Sequence, residues 1–571
     1  MTREGQTVQT MLDGALLHHQ NGRLLEAEQT YKRILAINPD HPDCLHLLGM
    51  LSYQSGDLET AANLIRRAIS IHKTGVSYYL NLGTVLSAQG KLDEAETLYR
   101  HALTLKPNLT EVHVNLGNVL QARGQLEASV ECYEKALALR PDSAEAYNNL
   151  GNARQEQCQM DAAIACYEKA LAIKPDYAEV YYNLGNASRL RGNLDEAVRF
   201  YEAAIAIKPE YPEAFYNLGN VRRAQGDVDD ALRQFAKALA LRPEYAQAGF
   251  GEALAQLLQG NFAVGWDNFE RRWQTNDHDT PRREYAQPAW TGEKLASGNL
   301  LIWGEQGVGD EIMFAGLIPE VVGTGNSCFL ECNARLKPLF ARSFESVAAV
   351  TNSGSGGHQE PEITAHLPSG SLPRLFRRSS ADFAATRTPY LIADSSIRDQ
   401  LLQRYADGRR LIGIAWYTNN VKTGTERSID LSRLAPLFDL KNLRWISLQY
   451  GDHDLLRSRA EAANAPIFVD RAVDQLADMD LFAAQIAAMD LVITIDNSTA
   501  HLAGALGVPV WVLLPFAPDW RWLLEREDCP WYPSMRLFRQ PLPGDWEFVV
   551  KAVCCALADV GDYFSLQAET D

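Results

Sequence analysis

The sequence predicts two architectures in one chain: an all-α repeat solenoid over residues 1–277 and, past a linker at 278–298, an α/β region of two Rossmann-like halves, 299–395 and 396–571. Three observations carry this. Small residues recur every 34 positions through the first half. Apolar, β-branched segments alternate with helix-length stretches through the last third, the rhythm of a doubly wound parallel sheet. Between the two regions the chain turns polar and Pro-containing, as connecting segments do.

At 571 residues one core cannot serve, and about three or four domains are expected. Lys plus Arg less Asp plus Glu is 54 − 72 = −18, a surface that repels phosphate backbones. Nucleic acid and anionic membrane are therefore poor partners, and any bound phosphate must be held locally. The opening MTREGQTVQTMLDGALLHHQ lacks the apolar core of a signal peptide, and no run reaches the length of a membrane span, so a cytoplasmic location is expected. Nine cysteines without CxxC spacing indicate neither a disulfide framework nor a zinc site. Cys328, Cys332, Cys554 and Cys555 read as buried small hydrophobes.

In the first half Gly49, Gly83, Gly117, Gly151, Gly185 and Gly219 share one phase, with Ala15 and Ala253 in the same phase at the two ends. Alanines follow at fixed offsets, Tyr31, Tyr99, Tyr133, Tyr167, Tyr201 and Phe235 sit between them, and Pro39, Pro107, Pro141, Pro175, Pro209 and Pro243 close the units. Two antiparallel helices cross closely only where Gly or Ala removes bulk, an aromatic fills the gap beside them, and Pro ends the second helix. The pattern resembles the tetratricopeptide repeat, and seven units with capping helices are expected.

Asn81, Asn115, Asn149, Asn183 and Asn217 precede the phase marks by two, and Asn118, Asn152, Asn186 and Asn220 follow them by one. Positions three apart share a helix face, so the amides form a double row able to donate to and accept from a peptide backbone. The row is similar to the asparagine ladder of protein O-linked N-acetylglucosamine transferases, which implies that Asn81, Asn115, Asn149, Asn183 and Asn217 hold acceptor polypeptide. Bonds between neighbouring repeats are the other reading.

Leu300–Gly304 reads as a strand running into EQGVGDEIMFAGLIPEV, a glycine-rich turn that opens a helix. It is neither a Walker loop nor a clean GxGxxG. Gly307 and Gly309 let another molecule approach the backbone, and Asp310 and Glu311 begin the helix. CFLEC, VAAVTN and ITAHLP continue as short strands, with SGSGGHQEPE a loop between them.

In the second half LIGIAW, LRWISLQ, PIFVD, LVITID, VPVWVLL and MRLFRQ are the strands. LVITI ends at Asp496, Asn497, Ser498 and Thr499 are N-cap types, and HLAGALG resumes as a helix. Helix N–H groups at the carboxyl edge of such a sheet make a phosphate site. Trp416 follows the first strand of this half, Gln449 and Tyr450 the second, and Lys422 or Arg427 would neutralise a departing phosphate. Trp520, Arg521, Trp522, Trp531 and Tyr532 could line a sugar or nucleotide pocket, or lock the two halves together. Asp478-Met479-Asp480 has a metal-binding DxD form but precedes LFAAQIAAM, so a helix cap is expected and no metal site.

Asp496, Ser498, Thr499, His501, Leu502 and Ala503 are similar to the donor-site motif of heptosyltransferase-like glycosyltransferases, and GVGDEIMFA resembles the turn that opens those enzymes. From Pro288 to Trp546 the chain looks like bacterial tetratricopeptide proteins with such a carboxyl domain, a group that includes flagellin-modifying transferases. The resemblance implies a GT-B fold with a reduced first half and no metal requirement. It implies Asp310 as the base, with Glu311 the alternate, and Asp496, Asn497, Ser498, Thr499 and His501 at the donor. The expected activity moves a sugar from a UDP- or CMP-linked donor, with no further cofactor, to Ser or Thr of an acceptor protein, flagellin among the acceptors implied. A non-catalytic scaffold and a lipopolysaccharide-type transferase are the alternatives. Neither the oligomeric state nor the donor base is legible.

Overall fold

A computed structural model describes residues 3–275, 280–351, 363–419 and 424–568. The chain forms two compact units, Met1–Ala214 and Phe215–Asp571. The loop expected at 353–362 and the candidate Lys422 lie outside the described residues.

Among the described residues sixteen helices run from Arg3–Gln20 to Phe262–Phe269, pairing antiparallel as the 34-residue period requires. The phase-mark glycines are where paired helices touch: a Cβ on Gly117 would stand 2.5 Å from the Tyr133 ring, and one on Gly151 2.5 Å from Tyr167. The offset alanines are buried with those rings. The turns between paired helices use left-handed glycines such as Gly90 and Gly124, and in the same place one unit carries Cys158 at φ 61°.

The asparagine row is a repeat-to-repeat ladder. Asn149 Nδ2 donates to Asn118 Oδ1 at 3.0 Å, and Asn183 Nδ2 donates to both Asn152 Oδ1 and Asn148 Oδ1 at 2.9 Å. Tyr133 and Tyr167 hydroxyls donate to the oxygens of Asn118 and Asn152 at 2.8 Å. Asn81 Nδ2 meets His46 Nε2 at 2.7 Å. This corrects the peptide-binding assignment for Asn81, Asn149 and Asn183, whose amide nitrogens are engaged by their own solenoid; each unit presents them to its neighbour at the same height, which favours the intramolecular bond. Asn115 is half-buried in the same row, and Asn217 is partnered too.

The second unit holds two sheets. The first has the order β3-β2-β1-β4, all parallel, with β1 Asn299–Trp303, β2 Ser327–Cys332, β3 Ala348–Thr351 and β4 Ile363–Pro368. The second has the order β10-β11-β9-β8-β5-β6-β7, with β5 Arg410–Ala415, β6 Leu443–Ser447, β7 Ile467–Phe468, β8 Leu491–Ile495, β9 Val510–Leu514, β10 Asp528–Cys529 and β11 Tyr532–Arg539. Only β10, pairing with β11, is antiparallel. Leu491–Ile495 and Val510–Leu514 are buried at every position, as strands covered on both faces should be. In each sheet the strand order reverses once, between β1 and β4 and between β5 and β8, and the crevices at those points are where open α/β sheets bind ligands.

One core runs from Phe235, Trp266 and Phe269 of the last helices through the first sheet to one face of the second. The other face of the second sheet is covered by the helix that begins at Trp546, with Val549, Val550 and Val553 inward. Part of the expected linker is fixed to the first sheet, where Trp290 N–H donates to the His366 carbonyl at 2.8 Å. Among the described residues no helix is long and apolar enough to cross a membrane. Cys328 and Cys332 are buried as expected, but Cys555 is exposed because it lies on the outer side of that last helix.

Candidate active site

The crevice of the second sheet is bounded by the turn after β5 and the turn after β8. Asp496 ends β8, and Asn497 caps the Ser498–Ala505 helix: its Oδ1 accepts from Thr499 N–H at 3.0 Å, Ala500 N–H at 3.3 Å and Thr494 Oγ1 at 3.0 Å. This corrects the expected cradle of free amides, because the side chain before the helix satisfies the second and third N–H itself. Unpaired polar atoms remain beside it. Asn497 Nδ2 and Thr499 Oγ1 are buried without a hydrogen bond among the described residues, while Trp522 lends a hydrogen bond to the Asp496 carboxylate.

Charged groups from five stretches gather here. Arg427 Nη1 stands 3.0 Å from Asp496 Oδ2, close enough for Coulombic attraction but without hydrogen-bond alignment. Its Nη2 is 3.6 Å from Asp519. Arg521 Nη1 donates to Asp519 Oδ1 at 2.6 Å, while Nη2 donates to the Asp310 carboxylate. Arg223, on the helix after Pro212, adds its charge near Asp519. The two acids respond oppositely. Burial, partly offset by Arg427, pushes the Asp496 carboxyl up. Burial also opposes charge on Asp519, but Arg521 and Arg427 outweigh it and hold that carboxyl below its ordinary range. Such a divided pair is a common mark of functional sites.

The Val308–Ala315 helix faces this crevice through Gly309. A Cβ there would lie 3.2 Å from His501 Cδ2 and 3.6 Å from Ser498 Cα, so glycine permits the two helix N-termini to meet. Gly307 caps that helix, its N–H donating to Asp310 Oδ2 at 3.3 Å. His501 is buried, stacked on Trp522 at 5.3 Å, with Nδ1 3.0 Å from the Tyr532 hydroxyl. Burial and the nearby Arg521 push the imidazole down to about 3, so it is neutral at pH 7. The Tyr532 hydroxyl is pushed well up by burial and keeps its proton.

Several expected site residues serve the frame instead. Gln449 is fully buried, its oxygen accepting from Trp416 and Tyr417 N–H at 2.9 Å and its nitrogen donating to the Tyr417 carbonyl at 3.1 Å. It braces the turn after β5 and has no free acceptor for a donor nucleotide. Trp416 is buried beneath that turn. The Tyr450 hydroxyl, which accepts from Asn419 N–H at 2.8 Å, supports the turn from the side. Trp520 packs edge-on against Trp266 at 5.2 Å, and Trp522 is buried under His501. Both therefore lock elements together rather than line an open pocket, because the loop that carries them is clamped by apolar rings of the last helices. Glu311 faces away from Arg521: its Oε2 accepts from Asn333 N–H at 2.7 Å, and its carboxyl fills the space beside Gly304. Asp478 caps its helix, accepting from Asp480 and Leu481 N–H at 3.1 and 2.9 Å. Among the described residues no group of three His, Cys, Asp or Glu could hold a metal ion.

Asp519 was missed as a site residue, whereas Tyr532 stood among the expected pocket-lining residues. The signal for Asp519 was its place two residues before Arg521 in a loop otherwise aromatic; nothing in the sequence pairs Tyr532 with His501.

Burial raises the Glu311 carboxyl from 4.5 to about 7. The folded form thus binds this proton more tightly than the unfolded form, so its stabilising effect is complete below about pH 4.5 and lost as pH climbs through 7. Glu311→Gln should remove that slope, on the order of 3 kcal/mol across the window. Urea midpoints of both proteins from pH 4 to 8 check this; parallel curves would contradict it.

Family models of the tetratricopeptide repeat match residues 18–83, 76–106, 142–210 and 176–244, and one described as TPR repeat matches 117–157. Residues 18–106 and 117–244 are tetratricopeptide repeats. Protein FlbA of Caulobacter vibrioides (strain ATCC 19089 / CIP 103742 / CB 15) is 30% identical over 344 residues, which are 54% of this chain and 54% of FlbA. The chain thus spans about half the length of that relative. Among solved structures, MamA is 32% identical over 29% of this chain and 97% of its own, with a TM-score of 0.27. YrrB, described as a TPR protein with an unusual peptide-binding site, is 24% identical over 33% of this chain and 96% of its own, also with a TM-score of 0.27. A tetratricopeptide repeat protein from Parabacteroides merdae ATCC 43184 is 16% identical over 44% of this chain and 99% of its own, with a TM-score of 0.39.

Proposed function

We propose that the α/β region is a GT-B glycosyltransferase that moves a sugar from a nucleotide-sugar to a Ser or Thr hydroxyl of a polypeptide recruited by the tetratricopeptide repeats. The observation that carries this reading is the meeting of Asp310 and Gly309 with Arg427, Asp496, Arg521 and His501 at the crevice between β5 and β8. The acceptor oxygen attacks the anomeric carbon, the bond from that carbon to the donor phosphate oxygen breaks, and the nucleotide leaves with the electron pair. The acceptor proton passes to Asp310. Arg427 and Arg521 supply the counter-charge, and positioning contributes most of the rate.

A non-catalytic scaffold is the second reading. It is favoured by the first sheet's crevice, which the chain's own Arg272 fills through paired bonds to Glu305 at 2.8 and 2.9 Å. A panel of UDP- and CMP-sugars in a thermal-shift assay, followed by labelled donor with a cell extract, separates the two. A bound donor at one hundred times its Kd stabilises by about 2.7 kcal/mol. One donor should raise the melting temperature, release nucleotide and label protein. No shift across the panel would leave the scaffold, and label on lipid alone would place the acceptor among saccharides.

A further inference from the structure

Arg521 is the group whose partners are least explained by folding alone. Its side chain is 13% exposed, and both arms of its guanidinium are held by carboxylates. The Asp519 arm is local, two residues away, and that same carboxylate accepts the Arg521 N–H at 3.2 Å, so this half of the contact belongs to the turn. The Asp310 arm is different in kind. It joins residues 211 apart in sequence, from the start of the Val308–Ala315 helix to the loop after β9. Asp310 already has work as a helix cap through Gly307 N–H, so the helix does not need Arg521 to satisfy it.

The turn that starts at Asp496, whose charge reaches Arg521, carries groups suited to an anion. Arg427 is held nearby by the shared Asp519, at 3.6 Å. Thr499 is 1% exposed, yet its Oγ1 makes no hydrogen bond among the described residues, and neither does Asn497 Nδ2. Hydroxyl and amide groups are both donors, and a protein that buries them without acceptors forgoes their hydrogen bonds. A phosphate offers several acceptor oxygens and prefers guanidinium partners for the same charge-assisted bond that a carboxylate makes. Asp310 thus occupies on Arg521 the place that a phosphate oxygen would take.

We propose that Arg521 is exchanged between two anions: it holds the Asp310 carboxylate in the form described here, and a phosphate entering beside Arg427 takes it over and frees Asp310. The inference rests on the transferase reading for the purpose of the freed carboxylate and goes beyond it in fixing an order. Donor would bind first, and only the donor complex would contain a base able to reach the acceptor hydroxyl. By linkage, the factor by which bound phosphate weakens the pair between Asp310 and Arg521 is the factor by which that pair weakens phosphate binding.

The test is calorimetric titration of the full chain with inorganic pyrophosphate at constant ionic strength. Asp310→Asn should bind about tenfold tighter than the native chain, and Arg521→Gln should bind at least about tenfold weaker. Asp310→Ser provides the same comparison should the amide disturb the cap. Glu461→Gln, which removes a charge from the exposed pair with Arg457, should leave affinity unchanged. Equal affinity in the native chain and both Asp310 variants, with Arg521→Gln weaker, would overturn the exchange and leave the anion site standing. A gain in Glu461→Gln as large as that in Asp310→Asn would reduce the effect to net charge and also overturn it. No binding by the native chain or by either Asp310 variant would remove the anion site itself, and the donor reading with it.

Discussion

Arg272→Met is expected to destabilise the second unit by about 3–5 kcal/mol, the cost typical of leaving one member of a buried ion pair alone. Arg272 has no exposed surface and Glu305 has 1%. The guanidinium donates to Glu305 through Nε at 2.9 Å and Nη2 at 2.8 Å, to Ser371 Oγ at 2.9 Å and to the Phe269 carbonyl at 3.2 Å, and it lies against the Phe269 and Trp273 rings. Glu305 also accepts Gly370 N–H at 2.8 Å. Methionine would fill the volume but leave the buried Glu305 carboxylate without its guanidinium, and would take the same partner from Glu270, whose Oε1 accepts from Arg272 Nη1 at 2.8 Å. Arg272→Met combined with Glu305→Leu should recover most of the loss, since an apolar pair carries no desolvation penalty. Tryptophan fluorescence in a urea series would show it, through a lower midpoint for the single variant and a restored one for the double. Equal midpoints for native and single variant would mean that water reaches the pair.

On the transferase reading proposed above, Asp310→Asn is expected to lower sugar transfer by about 10²–10⁴-fold, the usual contribution of a positioned base, with the fold intact. Asparagine keeps the size of the side chain and can still accept the Gly307 N–H bond, so the Val308–Ala315 helix should persist. What it lacks is the capacity to take a proton. Nucleotide release and label transfer, measured beside a circular-dichroism melt, distinguish lost chemistry from lost structure. Full activity in a folded variant would remove Asp310 from the mechanism. Glu311 could not then be promoted in its place without a change of side-chain direction, because its carboxyl bonds to Asn333 N–H on the far side of the helix.

The repeats were legible because each unit states the same packing constraint again. A single Gly opposite a Tyr says little, but Gly83, Gly117, Gly151 and Gly185 opposite Tyr99, Tyr133, Tyr167 and Tyr201 leave one geometry. The strands of the second sheet were legible because burial on both faces forces uninterrupted runs such as Leu491–Ile495. Side-chain partners were not. Whether Asn183 faces a peptide or the next repeat depends on a separation that no spacing along the chain encodes. The same holds for Gln449, which sequence places at a strand end but which folding turns inward onto Trp416. Asp310 and Arg521 belong to stretches that both invite attention, yet their pairing exists only once the Gly309 approach is built.

The core that joins Phe235, Trp266 and Phe269 to the first sheet has a consequence for how such a chain can vary. Whole 34-residue modules upstream of Phe215 could be inserted or removed without opening that shared interior, whereas deleting a module downstream would strip apolar cover from the crevice wall itself. Reach toward a partner would then be adjustable in discrete steps while the chemistry stays untouched.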